Sequence, residues 1–271
     1  MPTSGKDQPT MDFSRFEPLE GAGLTGTLQG VRKSKPVDWV GREARHAEAL
    51  AQYDALLAEQ RDARIRIEEQ KWEDTIPPRW VNAKLADFQA QQQGVYGAGA
   101  ALVRKFDPNV KQRNYAINRS QSSVIAYGLL GRGKTYFCYA IIHELIRRGW
   151  ITLNQVSIVN DTRLASIAMA GFNRGALTGE LLDPHTEIFF IDETGRGGQF
   201  GFGDNAIPNR ESTWLEIVDY AYSNNKTIFT TTNLDLKSLG NYIGVAAFDR
   251  LKSMAKGQIL RFDGKESRRQ I

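Results

Sequence analysis

One octapeptide constrains the fold of this chain more than any other part of the sequence. Residues 128–135 read Gly-Leu-Leu-Gly-Arg-Gly-Lys-Thr and fit the pattern G-x-x-x-x-G-K-S/T. The run 123–127 before it is apolar and β-prone, and residues 136–148 after it carry apolar side chains at helical spacing. A strand, a glycine-rich loop and a helix in this order predict a phosphate-binding loop. The alternative is a strand–turn–helix corner that needs glycine only for its geometry.

The predicted loop supplies the groups that a nucleoside triphosphate and its magnesium ion need. Glycines let successive backbone N–H groups turn toward the phosphates, and the following helix adds the positive end of its dipole. We expect Lys134 to reach the β- and γ-phosphates and Thr135 to bind Mg²⁺ through its hydroxyl. The residues predicted to contact ATP are Gly128, Gly131, Arg132, Gly133, Lys134, Thr135 and Tyr136.

A second apolar run, residues 187–191, ends in the acids Asp192 and Glu193. This is the pattern of a buried strand in a parallel sheet, with its carboxyl end at the edge where α/β sheets bind ligands. We predict that Asp192 holds Mg²⁺ through its water shell and that Glu193 orients or deprotonates the attacking water. Two adjacent acids can also form an ordinary turn. Downstream of a phosphate-binding loop, we interpret them as the residues of an ATPase.

Three further residues are candidates for a role in hydrolysis. Thr232 and Asn233 follow a β-prone run and are predicted to share a sensor role at the γ-phosphate or the attacking water, although a turn-forming Asn gives the same local sequence. In a head-to-tail ring or filament, Arg250 would enter a neighbour's site and neutralise charge on the transferring phosphoryl group. The alternative for Arg250 is an ion pair with Asp249 or another nearby acid.

Strands and helices alternate after about residue 120, which predicts an α/β fold with a mostly parallel, three-layer sheet. The predicted strands are residues 123–127, 155–159, 187–191, 227–231 and 258–262. The helices predicted between them are residues 136–148, 162–172 and 211–223, with Asp161 as the cap of the second.

The first 75 residues differ in composition from the rest. Residues 1–36 are rich in Pro, Gly, Ser and Thr without periodicity, which predicts a flexible tail. Residues 37–75 are rich in Ala, Glu, Gln, Arg and Leu, and their apolar spacing predicts a long charged helix that packs on its own core or on a partner. We take it as the partner-binding region. A solvated spacer helix is the alternative. Residues 76–271 are predicted to form the ATPase domain.

Composition excludes several classes of protein. The single cysteine, Cys138, excludes an internal disulfide and a cysteine-based zinc module. No apolar run approaches the ~20 residues of a transmembrane helix, and the N-terminus lacks a signal-peptide core, so we expect a cytoplasmic protein. The net charge of +4, from 35 basic and 31 acidic residues, is compatible with nucleic-acid binding without indicating it.

Taken in order, these elements resemble the AAA+ ATPases of the DnaC/DnaI helicase-loader and IstB group. The resemblance covers roughly residues 76–269 and includes a lead-in at 76–88, Phe-Asp-Arg-Leu at 248–251 and Gly-Lys-Glu-Ser-Arg-Arg at 264–269. It implies a P-loop AAA+ three-layer αβα domain, preceded by a helical N-terminal region, with ATP and Mg²⁺ as cofactors. It also implies that Thr232 and Asn233 are sensor 1 and that Arg250 is the arginine finger acting in trans.

The resemblance further implies partners and a process. Loaders of this group assemble with ATP and place a hexameric replicative helicase on single-stranded DNA in the bacterial cell, and many are encoded by phages. Here the helix within 37–75 would hold the helicase, and Arg163 and Arg174 would contact DNA; scattered surface arginines are the alternative. An IstB-like ATPase that binds duplex DNA and recruits a transposase is the second interpretation. A small-molecule kinase ranks third, because no arginine-rich lid follows the sensor strand.

Overall fold

The computed structural model describes residues 39–88, 92–109, 122–170, 181–197, 204 and 206–263. The predicted tail, residues 1–36, and the closing motif, residues 264–269, lie outside these ranges. The strands of the described residues form one parallel sheet in the order β2-β3-β4-β1-β5. They are β1 (Val124–Gly128), β2 (Val156–Asn160), β3 (Ile188–Thr194), β4 (Thr227–Thr232) and β5 (Ile259–Phe262). The prediction of a parallel α/β sheet is confirmed.

Helices precede the sheet and connect its strands. They are α1 (Trp39–Thr75), α2 (Pro78–Val81), α3 (Gln93–Lys105), α4 (Lys134–Arg147), α5 (Asp161–Ala170), α6 (Ala206–Ser223), α7 (Leu236–Ile243) and α8 (Val245–Met254). Each parallel crossover between β1, β2, β3 and β4 contains a helix, as the geometry of parallel strands requires. Across the described ranges, none of these helices is long and apolar enough to span a membrane.

Alternate residues of the strands belong to two separate hydrophobic clusters, as expected for a sheet covered by helices on both faces. Val124 of β1 and Phe190 of β3 lie in one cluster, together with buried side chains of α4. Ile125 of β1 and Phe189 of β3 lie in the other, with side chains of α5, α6, α7 and α8. The fold is therefore the three-layer αβα arrangement predicted from the sequence.

The chain divides into two compact units between Gln52 and Tyr53. In the first unit, residues 42–52 are helical and exposed. In the second, the end of α1 packs on the sheet domain, where Trp72 is fully buried and stacks on a histidine of α4. The predicted partner-binding region, residues 37–75, thus extends over both units.

The start of α5 differs from the sequence prediction. Oδ1 of Asn160 accepts a hydrogen bond from the backbone N of Arg163 (2.7 Å), which is the contact that caps a helix. Asp161, the predicted cap, is instead the first helical residue and is fully buried. The prediction for Asp161 is wrong because the residue before it already supplies the capping oxygen. The Asp161 carboxylate therefore makes its contacts inside the protein.

Candidate nucleotide-binding site

The predicted phosphate-binding loop joins β1 to α4, and geometry requires two of its glycines. Gly133 directly precedes α4 and has a φ of 91°, a left-handed conformation that glycine adopts without a steric penalty. A Cβ on Gly128 would clash with the carbonyl oxygen of Phe262 in the adjacent strand β5. Gly131, a third predicted ATP contact, also has a positive φ of 73°. The loop follows the glycine-dependent path that its sequence predicts.

Lys134 connects the loop to the end of β4. Its Nζ donates hydrogen bonds to the carbonyl oxygens of Gly128 (2.7 Å) and Leu129 (2.7 Å) and to Oδ1 of Asn233 (2.8 Å). These contacts arise because β4 pairs directly with β1, so the carboxyl ends of the two strands are adjacent. The structure therefore brings the predicted phosphate-binding lysine together with the predicted sensor asparagine.

Arg132, on the same loop, carries polar atoms that an anion would satisfy. The residue is half-buried, and its Nε and Nη1 are shielded from solvent without a hydrogen-bond partner among the described residues. Buried donors are normally paired, and a guanidinium matches the geometry of phosphate oxygens. The Nε and Nη1 atoms of Arg132 are therefore suited to donate hydrogen bonds to a phosphate group.

Thr135 and Asp192 meet at the start of α4. Thr135 Oγ1 donates a hydrogen bond to Asp192 Oδ1 (2.8 Å), and the hydroxyl of Thr231 donates to the same oxygen. Burial raises the pKa of Asp192, the two hydroxyl hydrogen bonds lower it, and the neighbouring charge of Glu193 raises it, with a net upward shift. A hydroxyl and a carboxylate at this separation suit Mg²⁺, which binds one or two protein oxygens and completes its shell with water and phosphates.

Strand β3 departs from regular pairing at its two acids. The register between β3 and β4 shifts between Ile191 and Thr194. Within this shift Glu193 has a φ of 56°, which is uncommon for a residue other than glycine. Irregularities of this kind redirect side chains and are frequent beside functional sites. The bulge therefore changes the backbone at Glu193, whereas Asp192 keeps its regular pairing with Asn160 of β2.

Threonine hydroxyls of β4 hold this bulge in place. Thr231 Oγ1 accepts a hydrogen bond from the backbone N of Glu193 (2.9 Å), and Thr232 Oγ1 donates to the carbonyl oxygen of Thr194 (2.7 Å). The hydroxyls of Thr194 and Thr230 are hydrogen-bonded to each other at 2.8 Å. Each of the three final residues of β4 therefore contacts the irregular end of β3.

The structure separates the two residues of the predicted sensor pair. Asn233 contacts Lys134, whereas the hydroxyl of Thr232 is buried against the bulge and also accepts a hydrogen bond from the backbone N of Leu234 (3.1 Å). Sequence reasoning missed Thr231, whose hydroxyl contacts Asp192 directly. A run of threonines inside a buried strand is the signal that was available, because every buried hydroxyl needs a partner.

The Glu193 carboxylate forms an ion pair with Arg196, three residues further along. The Glu193 side chain is 28% exposed and that of Arg196 is 65% exposed, so the pair lies at the surface of the site, where solvent screens the attraction between the charges. Arg196 is not among the residues predicted from the sequence. The pair leaves the carboxylate partly accessible to solvent water.

Arg250 lies on α8 and points toward α6. Its guanidinium forms an ion pair with Asp219 and lies 5.6 Å from the ring centroid of Tyr222. The alternative of an ion pair is thus present, with Asp219 rather than with Asp249. Both side chains of the pair are about two-fifths exposed, and an exposed pair is weak enough to exchange with another partner.

The side chain of Tyr136 contacts the lead-in segment rather than the loop. Its hydroxyl donates to the carboxylate of Asp87 and accepts from the backbone N of Lys84 (3.3 Å), and its ring packs on Phe88. A contact between Tyr136 and ATP stays a prediction, and it would involve the backbone. The hydroxyl therefore links α4 to residues 84–88 through hydrogen bonds.

The structure describes one of the two predicted DNA contacts. Arg163 is exposed on the first turn of α5. Arg174 lies outside the described residues. The predicted DNA role of both arginines stays a prediction.

Similarity to known proteins is found among solved structures. No family model and no curated protein matches the sequence. A crystal structure of DnaI superposes with a TM-score of 0.51 at 17% identity, covering 72% of this chain and 95% of DnaI. AMPPCP-bound DnaA from Aquifex aeolicus gives 0.48 at 15% identity, with 70% and 51% covered. The DnaC helicase loader gives 0.46 at 18% identity, with 69% and 100% covered.

The fold assignment rests on DnaI, the one of these three structures with a TM-score above 0.5. The described chain has the fold of AAA+ P-loop domains. The resemblance first seen in the order of the motifs therefore extends to the fold of the DnaI structure, at 17% identity.

Replacing Thr231 by valine keeps the shape of the side chain and removes the hydroxyl that donates to Asp192. Because this hydrogen bond lowers the pKa of Asp192 against the effect of burial, we expect the pKa to rise further in Thr231→Val. A carbon-13 NMR titration of the Asp192 carboxyl group measures the change. Thr232→Val is the matched control, since its hydroxyl bonds to Thr194 and Leu234. An unchanged Asp192 pKa in Thr231→Val would contradict the assigned contact.

Proposed function

We propose that this chain is an ATP-dependent DNA replication factor that loads a hexameric replicative helicase onto single-stranded DNA. The observation that carries the ATPase part is the convergence of three strand ends. The loop after β1, the acids at the end of β3 and Asn233 after β4 lie side by side, joined by the Lys134–Asn233 and Thr135–Asp192 hydrogen bonds. The loader part is supported by the motif order and by the DnaI-like fold.

In the proposed site, the protein binds and orients ATP for attack by water. Lys134 and Arg132 supply positive charge to the phosphates, beside the N-terminal end of α4. Mg²⁺, held by Thr135 and Asp192, would neutralise charge that develops on the phosphoryl oxygens. Asn233 orients the γ-phosphate or the water, and Glu193 orients the water or accepts its proton. The products are ADP and inorganic phosphate.

Arg250 completes the proposed mechanism from a neighbouring copy of the chain. Its exposed position on α8 and its weak pairing with Asp219 suit a residue that changes partners when copies assemble. The guanidinium would then stabilise charge on the transferring phosphoryl group. This makes hydrolysis dependent on a nucleotide-driven oligomer.

The proposed helicase contact lies on α1. Tyr53, Leu56 and Leu57 are 58%, 50% and 45% exposed and are spaced to lie on one face of the helix. An apolar helix face of this kind fits a groove on a partner protein. Single-stranded DNA would contact Arg163 on α5, and binding through such phosphate contacts weakens as salt increases. The process occurs in the bacterial cytoplasm, for a protein of bacterial or phage origin.

Replacing Glu193 by glutamine tests the proposed hydrolytic role. We expect Glu193→Gln to bind ATP with unchanged affinity and to lower turnover by about 10²- to 10⁴-fold, the contribution typical of a positioned base. Turnover is measured with saturating ATP, Mg²⁺ and single-stranded DNA. Glu216→Gln makes the same chemical change at an exposed position on α6 and should hydrolyse ATP normally. Normal turnover in Glu193→Gln would remove Glu193 from the mechanism.

Native mass spectrometry with the replicative helicase of the source bacterium tests the loader proposal. With ATP, we expect a helicase hexamer that carries several copies of this chain, and preference for single-stranded over duplex competitor DNA. Leu57→Glu should abolish the complex, whereas Ala55→Glu, on the opposite side of α1, should retain it. Absence of a helicase complex, together with ATP-dependent oligomers on duplex DNA, would reject the loader and favour the IstB-like alternative.

A further inference from the structure

The buried carboxylate of Asp161 lies at the junction of β2 and α5 and contacts two other parts of the fold. Its Oδ2 accepts a hydrogen bond from the hydroxyl of Tyr242 on α7 (2.6 Å) and one from the backbone N of Gly195 after β3 (3.2 Å). The residue is 0% exposed. Burying a carboxylate is costly unless hydrogen bonds compensate. The two hydrogen bonds therefore hold the start of α5, helix α7 and the chain after β3 in fixed relative positions.

Tyr242 is itself held in place by a residue of α6. The guanidinium of Arg210 lies 4.1 Å from the centroid of the Tyr242 ring, and its Nε donates to the Tyr242 carbonyl oxygen (2.6 Å). Burial, and then the hydrogen bond and charge of Asp161, raise the pKa of the Tyr242 hydroxyl. The hydroxyl therefore keeps its proton and remains a donor at neutral pH. The contact joins α6 and α7 to Asp161.

The Gly195 contact lies two residues after Glu193, whose backbone conformation is unfavourable by itself. A φ of 56° is sterically unfavourable for a residue other than glycine, and it persists only where the surrounding contacts determine it. Thr231 fixes the residue from one side, through the hydrogen bond to the N of Glu193. On the other side, the hydrogen bond from Gly195 to Asp161 fixes the chain where it leaves the bulge.

We propose that Asp161 is a positioning residue for Glu193, and that the Tyr242 hydroxyl holds Asp161 for this task. The inference rests on the proposed function, because it assigns Asp161 a role through the residue that activates water. Asp161 begins the helix that carries Arg163, and Tyr242 lies on the helix before the one that carries Arg250. The geometry of Glu193 therefore depends on the first residue of α5, which also carries Arg163, and on α7, the helix that precedes α8.

Two variants of the full chain test this role. Tyr242→Phe keeps the ring and its contact with Arg210 and removes the hydroxyl, while Asp161→Asn removes the charge and weakens the contact with Gly195. We expect kcat for ATP hydrolysis to fall several-fold in Tyr242→Phe and about 10- to 100-fold in Asp161→Asn, as for small misplacements of a reacting group. The Kd for ATP should stay within about twofold, since the hydrogen bonds that the structure describes for these two residues link them to Gly195, Arg210 and each other. Tyr220→Phe, whose ring packs on Phe189, is the matched control.

Two further readouts separate positioning from general destabilisation. Hydrogen exchange of the Gly195 amide should accelerate in both variants and not in Tyr220→Phe, at temperatures well below the Tm of each protein. In a Glu193→Gln background, Tyr242→Phe should cause no further loss of kcat, because it acts through the residue already replaced. An additional loss in that background would show a separate role for Tyr242 and would overturn the proposal.

The outcomes also distinguish this inference from the proposed function. If the wild-type chain hydrolyses ATP and both variants retain its kcat and its Gly195 exchange rate, the inference is wrong and the proposed ATPase stands. If the wild-type chain does not hydrolyse ATP with single-stranded DNA present, the proposed function fails. Unchanged Gly195 exchange in Asp161→Asn would overturn the inference in either case, because it requires that contact.

Discussion

The backbone conformation of Glu193 at the end of β3 depends on hydroxyl groups from the neighbouring strand. A regular strand points successive side chains to opposite faces of the sheet, and Asp192 still pairs in regular register with β2. The bulge interrupts this regularity at Glu193, and hydrogen bonds with the end of β4 hold the interruption in place. Since β4 is buried on both faces, its threonine hydroxyls need partners, and the irregular backbone of β3 provides them. The buried hydroxyls of β4 thus find hydrogen-bond partners at the end of β3, because the backbone of β3 is irregular there.

The order of the strands determines what this bulge can face. With β4 between β3 and β1, the acids of β3, Asn233 and the phosphate-binding loop share one edge of the sheet. The hydrogen bond from Lys134 to Asn233 and that from Thr135 to Asp192 are the links between them. A further buried carboxylate, Asp161, connects this edge to helices α6 and α7. The site is therefore joined to the helices around it by hydrogen bonds as well as by packing.

Local patterns in the sequence predicted the sheet and the glycine-rich loop, and they selected residues that the structure brings together at one edge of the sheet. The five strands, the loop at 128–135 and the acids at 192 and 193 all follow from apolar runs and a motif whose spacing is short. The contacts that could not be predicted depend on how separate helices and strands are aligned in the folded protein. The division of roles between Thr231 and Thr232, the burial of Asp161 and the pairing of Arg250 with Asp219 arise from which residues of different elements lie opposite each other. Neither periodicity nor spacing within one segment contains that information.

Equilibrium binding of a fluorescent ATP analogue in the presence of Mg²⁺ tests the central claim most directly, which is that the edge formed by β1, β3 and β4 binds a nucleoside triphosphate. The wild-type chain should bind, and Lys134→Ala should weaken binding by about 10- to 100-fold, the loss expected for charged hydrogen bonds to phosphate. Lys256→Ala, an exposed lysine outside the site, should bind as the wild type does. Equal affinity in the wild type and Lys134→Ala, or no binding by the wild type, would contradict the claim.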